Sequence, residues 1–109
     1  DAQQEEFIYR RTRGLREKLQ PMTRSEFLQQ TLDALDGPRS DTYGDPLTNH
    51  TRIAELWSTI LSTPVSVSQV YACMVAVKLS RLVQSPQHLD SWMDIAGYVA
   101  LAAEACDEE

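Results

Sequence analysis

Cysteine is scarce in this chain. Cys73 and Cys106 are its two thiols, too few for a disulfide scaffold, and both fall in apolar patterns of helical period where a thiol packs as a small hydrophobe. That usage points to a reducing, cytoplasmic setting. Four glycines and five prolines among 109 residues exclude collagenous, low-complexity and disordered classes. No stretch alternates apolar and polar residues long enough to make a strand, and no internal repeat is visible. The charge-free apolar run Ile60 to Val77 is broken by Ser-Thr-Pro and Ser-Val-Ser-Gln, short of the ~20 continuous apolar residues of a membrane span. A membrane role is not expected. The first residues, Asp1-Ala2-Gln3-Gln4-Glu5-Glu6, lack the charged and apolar regions of a secretory signal and an initiating Met, so the chain reads as processed or trimmed. There is no Walker loop, dinucleotide fingerprint, Cys/His metal spacing, nucleophile elbow or RNA-binding aromatic motif. Most familiar enzyme classes are thereby unsupported.

What remains is the composition of one small globular domain, 42% hydrophobic and 24% charged. A net charge of −6 opposes general attraction to polyanions, so nucleic acid is not expected as a partner. The charge is uneven. Residues 7–24 hold Arg10, Arg11, Arg13, Arg16, Lys18 and Arg24 against Glu17 alone, whereas residues 82–109 hold six acids and neither Lys nor Arg. A solvated basic helix and an acidic tail of this kind favour head-to-tail or inter-subunit contact over recognition of a polyanion.

Apolar spacing predicts an all-α fold of about five helices, oligomeric because such apolar helices exceed what one small core can cover. The first spans roughly Gln4 to Leu19, with Phe7, Ile8, Leu15 and Leu19 on its apolar side. After Pro21, Thr23-Arg24-Ser25-Glu26 has the form of a capping box, and Phe27, Leu28, Thr31, Leu32 and Leu35 carry a second helix to the Gly37-Pro38 stop. Asp45 followed by Pro46 fits an N-cap and first helical residue, opening a third helix to Leu61 whose stripe is Ile53, Leu56, Trp57, Ile60 and Leu61. Ser66-Val67-Ser68-Gln69 is a second capping box. The helix it opens is apolar on nearly every side and is expected to be the central one. Ser85-Pro86 ends it, and Asp90 or Ser91 caps the last helix, which runs through Trp92, Ile95, Val99 and Ala103. The organisation expected is an N-terminal helical extension over 1–36, a helical core over 37–106 and an acidic tail over 107–109.

Charged residues on apolar helices are the informative ones, because a buried charge requires a partner or a ligand. Asp90 and Asp94, four apart, project from one helix face. They are either an N-cap and a first-turn acid favoured by the helix dipole or ligands for Mg²⁺, which prefers carboxylate oxygens. Tyr98 continues that face. Lys78 and Arg81 are three apart on the preceding helix, suited to phosphate oxygens or to a buried salt bridge with Asp90 or Asp94. His50 lies off the apolar stripe with Asn49, Arg52 and Glu55, as a proton-transfer or ligand group or as a solvated side chain. His88, in a loop beside Asp90, is equally open.

Thr42-Tyr43-Gly44-Asp45-Pro46 with Asn49-His50, Arg52-Ile53-Ala54 and Trp57, then Lys78 and Arg81, then His88-x-Asp90-Ser91-Trp92-x-Asp94-Ile95-Ala96-Gly97-Tyr98 resemble a small phage-associated domain of unknown function. That domain belongs with the all-α, MazG-like nucleoside triphosphate pyrophosphohydrolases. The resemblance covers residues about 42–104. In the wider superfamily a Glu-Glu-x-x-Glu helix packs on a Glu-x-x-Asp helix, four acids hold Mg²⁺ on the triphosphate, and activated water cleaves between the α and β phosphates. The resemblance implies a MazG-like helical bundle with Asp90 and Asp94 as metal ligands. Beside these, Glu55, as a third carboxylate, and His50 are the expected catalytic residues, and Lys78, Arg81, Tyr98, Asn49 and Arg52 are expected on the nucleotide or another phosphorylated small molecule. This chain departs from the pattern twice. Asp90 and Asp94 are spaced by four rather than three, and the helix facing them, 70–84, has Lys78 and Arg81 and no acid. The expectation is therefore a Mg²⁺-dependent nucleotide hydrolase yielding monophosphate and pyrophosphate. The alternatives are a non-catalytic phage protein that binds or sequesters a nucleotide, and a structural helical protein that builds a homo-oligomer.

Overall fold

The computed structural model describes residues 22–37 and 45–106, and among them it is all-helical. Four helices follow one another: α1 (Arg24–Leu35), α2 (Pro46–Leu61), α3 (Val67–Gln84) and α4 (Leu89–Cys106). The helix expected over Gln4 to Leu19 lies outside the described residues, as does the tail 107–109.

Each start is specified locally. In α1 the Thr23 Oγ1 accepts from the Glu26 backbone N–H at 3.1 Å and the Glu26 carboxylate accepts from the Thr23 N–H at 3.4 Å, closing the capping box. The same reciprocal pair joins Ser66 and Gln69 at the head of α3. Asp45 caps α2, one oxygen accepting from the Thr48 backbone at 3.0 Å, with Pro46 at the first turn. The head of α4 differs from expectation. His88, rather than Asp90 or Ser91, precedes the helix, and its Nδ1 accepts from the Ser91 N–H at 3.3 Å and lies 2.6 Å from Ser91 Oγ. An imidazole lone pair does there what a cap hydroxyl or carboxylate usually does, and Asp90 and Ser91 are drawn inward, each 1% exposed.

The short connection over 85–88 turns α3 back on α4 as an antiparallel pair, since Tyr71 meets Tyr98 and Lys78 meets Asp94. The helix expected at the centre was 67–84. Instead α4 touches all three other helices, while α3 packs on α2 and α4 and leaves Val77, Leu79 and Val83 exposed. Gly97 is buried against Leu35 of α1.

Helix α2 is also rolled relative to its apolar stripe. Ala54 is its buried residue, with Ile53 and Trp57 half-buried, and Leu56, Ile60 and Leu61 face outward. A small residue at the contact lets two helices approach closely. A further tie acts at its end: Ser58 Oγ accepts from the Val65 N–H at 2.8 Å and donates to Ala54 O at 2.7 Å, pinning the α2–α3 loop. The roll brings His50 inward.

Candidate functional site

The facing sides of α3 and α4 carry a ladder of polar side chains. Tyr71 and Lys78 are seven apart on α3, and Asp94 and Tyr98 are four apart on α4, so each pair lies on one face. Lys78 Nζ sits 2.9 Å from Asp94 Oδ2, with the lysine 2% and the aspartate 20% exposed. One turn earlier on α4, Asp90 is fully buried. Burying a lysine ammonium is costly without a carboxylate at hydrogen-bond distance, and Asp94 supplies it.

At the other end of the ladder three rings from three helices meet. His50 of α2 lies 4.7 Å from Tyr71 of α3 between ring centroids and 6.0 Å, edge-on, from Tyr98 of α4, with the two tyrosines 6.3 Å apart. Nδ1 of His50 is 2.6 Å from the Pro46 carbonyl and 3.2 Å from the Tyr71 hydroxyl. Tyr71 is 1% exposed. Its phenol pKa is pushed up to about 12, first by burial and then by the negative charges of Asp45 and Glu104 and by Tyr98.

Of the residues singled out from the sequence, His50, Lys78, Asp94 and Tyr98 are thus gathered along one seam, with Asp90 buried on the same helix. Asn49 is half-buried. Arg52 and Glu55 are exposed on α2, about 200° and 140° around the helix from His50, and Arg81 is exposed near the end of α3. Tyr71 and the Pro46 carbonyl were not anticipated as site groups. A tyrosine in an apolar pattern is ambiguous, and its signal is the hydroxyl, which requires a partner once the ring is buried.

The donors for a resident Mg²⁺ are few. Asp94 is occupied by an ammonium, and among the described residues no group of three or more His, Cys, Asp or Glu side chains surrounds a common point. A hard divalent ion held by the protein alone takes more oxygen ligands than this, so this donor set does not fit a resident metal. What the arrangement offers is a buried ion pair, a histidine held between a carbonyl and a phenol, and exposed guanidinium groups at Arg52 and Arg81. Among the described residues no helix is long and apolar enough to cross a membrane.

Comparison with known proteins adds the family. The Gene 55 protein of Mycobacterium phage L5 is 34% identical over 73 residues, covering 63% of this chain and 45% of that protein. The Gene 55 protein of Mycobacterium phage D29 is 31% identical over 81 residues, covering 74% of this chain and 54% of its own length. The chain thus spans about half the length of the curated relatives it matches. No solved structure matches it. The family described as a domain of unknown function, DUF6378, matches residues 26–106, from the first turn of α1 to the end of α4. On that match, with two phage proteins similar to most of its length, the chain belongs to the DUF6378 family.

Proposed function

We propose that this chain is a MazG-like, nucleotide-binding phage domain that holds its ligand through the phosphates. One observation carries the reading. His50, Lys78, Asp94 and Tyr98, from separate stretches that carry the resemblance to the phage-associated domain, converge along one seam between α2, α3 and α4. Within the reading, Arg81 meets the phosphates first, as a delocalised cation with a donor geometry matched to phosphate oxygens. A phosphate oxygen competes with the Asp94 carboxylate for the Lys78 ammonium. Magnesium enters as part of a magnesium–nucleotide complex rather than as a resident ion. The exposed apolar side chains of α2 and α3 support homo-oligomerisation of the domain.

Hydrolysis to monophosphate and pyrophosphate is the second reading, favoured by Asp90 and Asp94 both being drawn in from one helix. The cation on the facing helix, where the wider superfamily has acids, favours binding over turnover. A thermal-shift panel of nucleoside triphosphates with and without Mg²⁺, with pyrophosphate release followed in parallel, separates them. Ligand at ~100 times its Kd adds about 2.7 kcal/mol to stability, so a binder shifts the melting temperature by several degrees. Arg81→Ala is expected to reduce that shift, read against the variant's own melting temperature without ligand. Pyrophosphate release that depends on Mg²⁺ selects hydrolysis, and a panel without any shift or turnover refutes both.

A further inference from the structure

We propose that the Pro46 carbonyl and the Tyr71 hydroxyl together hold the proton of His50 on Nδ1, so that Nε2 is the nitrogen through which His50 serves a ligand and Tyr71 is a positioning residue. The ligand half of this rests on the nucleotide reading, whereas the position of the proton does not. A carbonyl oxygen only accepts hydrogen bonds. At 2.6 Å from Pro46 O, Nδ1 therefore carries the hydrogen, since two facing lone pairs at that distance repel. Tyr71 Oη, 3.2 Å from the same nitrogen, then faces an N–H and accepts from it, with the phenol's own hydrogen directed elsewhere. Burial keeps that phenol neutral far into the alkaline range, its pKa pushed up to about 12. The tilted contact of the two rings at 4.7 Å and 52° limits rotation of the imidazole out of this cradle.

The local sequence supplies the geometry. Pro46 is the first residue of α2, and four residues on, His50 stacks one turn above its carbonyl. Imidazole in water prefers its proton on Nε2, so this cradle reverses the ordinary preference. The other histidine is held the opposite way. His88 Nδ1 faces the Ser91 backbone N–H at 3.3 Å, an obligatory donor, which places its lone pair on Nδ1 and its proton on Nε2. The chain's two histidines thus carry their protons on different nitrogens, each set by what its Nδ1 meets.

Nitrogen-15 spectra of the two imidazoles at pH ~8, above the ordinary histidine range, test this directly. His50 is expected to show a protonated Nδ1 and a pyridine-like Nε2, and His88 the reverse. A pyridine-like Nδ1 at His50 overturns the proposal, whatever any variant does. Tyr71→Phe keeps the ring and removes the second acceptor. With the Pro46 carbonyl still facing Nδ1, it is expected to keep the Nδ1 tautomer but shift the His50 Nδ1–H resonance and quicken its exchange with water, leave His88 unchanged and weaken binding of a deoxynucleoside triphosphate by roughly three- to tenfold, about one hydrogen bond's worth. An unaltered His50 Nδ1–H signal in a folded Tyr71→Phe protein overturns the positioning role. Should the wild type show the expected tautomers and bind none of the deoxynucleoside triphosphates, the proton assignment stands and the nucleotide reading falls.

Discussion

Lys78 shows how much one residue can reveal and how much it withholds. A lysine in an apolar helix announces a buried charge needing a counter-charge, and Asp90 and Asp94 were the visible candidates. What Lys78 meets depends on how α3 and α4 are offset, and the antiparallel pairing brings Asp94 to 2.9 Å. The two partners are unequally buried, so their removal is unequally costly. Asp94→Asn takes a carboxylate from an ammonium that is 2% exposed and is expected to cost up to about 3–5 kcal/mol in chemical denaturation. Lys78→Met leaves a carboxylate nearer to water and costs less, and combining the two recovers most of the Asp94→Asn loss. An Asp94→Asn protein as stable as wild type would show the pair to contribute nothing. Tyr71 gives a second test with a defined sign. Its folded pKa of about 12 lies above the ordinary phenol value of 10.0, so between these values the native state binds more protons than the unfolded one. Stability then falls as pH rises from 10.0 to about 12. Melting curves over that window should decline more steeply for wild type than for Tyr71→Phe, and equal slopes would contradict the burial of the phenol.

At the level of elements, helix boundaries were the most legible feature because caps are local chemistry. Thr23 with Glu26, Ser66 with Gln69, and Asp45 before Pro46 each satisfy orphan backbone donors within four residues of chain, and no tertiary contact is needed to make that favourable. The face each helix buries was far less legible. In α2 the stripe of large apolar residues is turned partly outward while Ala54 and His50 turn inward, because the partner surface and not the pattern chooses the contact. The central place of α4, in contact with all three other helices, likewise appears only in packing. Gly97 has room for a methyl group, which would meet Leu35 Cδ2 at 3.5 Å, an ordinary contact. Gly97→Ala should therefore stabilise the domain by about 0.5–1 kcal/mol through the lost freedom of the unfolded chain. A loss of stability on urea titration would mean that α1 and α4 need the glycine for closer approach than this.

Across the whole molecule, the described helices leave an unusual amount of apolar surface uncovered. Ile60 is 75% and Val83 88% exposed, with Leu56, Leu61, Leu79, Trp92 and Val99 also exposed. Large contiguous apolar patches are rare on monomers, and the expectation is a dimer or larger species in sedimentation at tens of micromolar. A monodisperse monomer there would count against it. The all-α class, three of the four described helix starts and the need for a partner at Lys78 were determined by the sequence alone. Periodicity, capping chemistry and the cost of burying charge all act over a few residues and do not depend on the rest of the chain. The roll of α2, the central place of α4, the meeting of Lys78 with Asp94 and that of His50 with Tyr71 and Tyr98 were decided by the tertiary structure. Each depends on the relative placement of helices dozens of residues apart. That placement comes from the shape fit of many weak contacts, which no local pattern encodes.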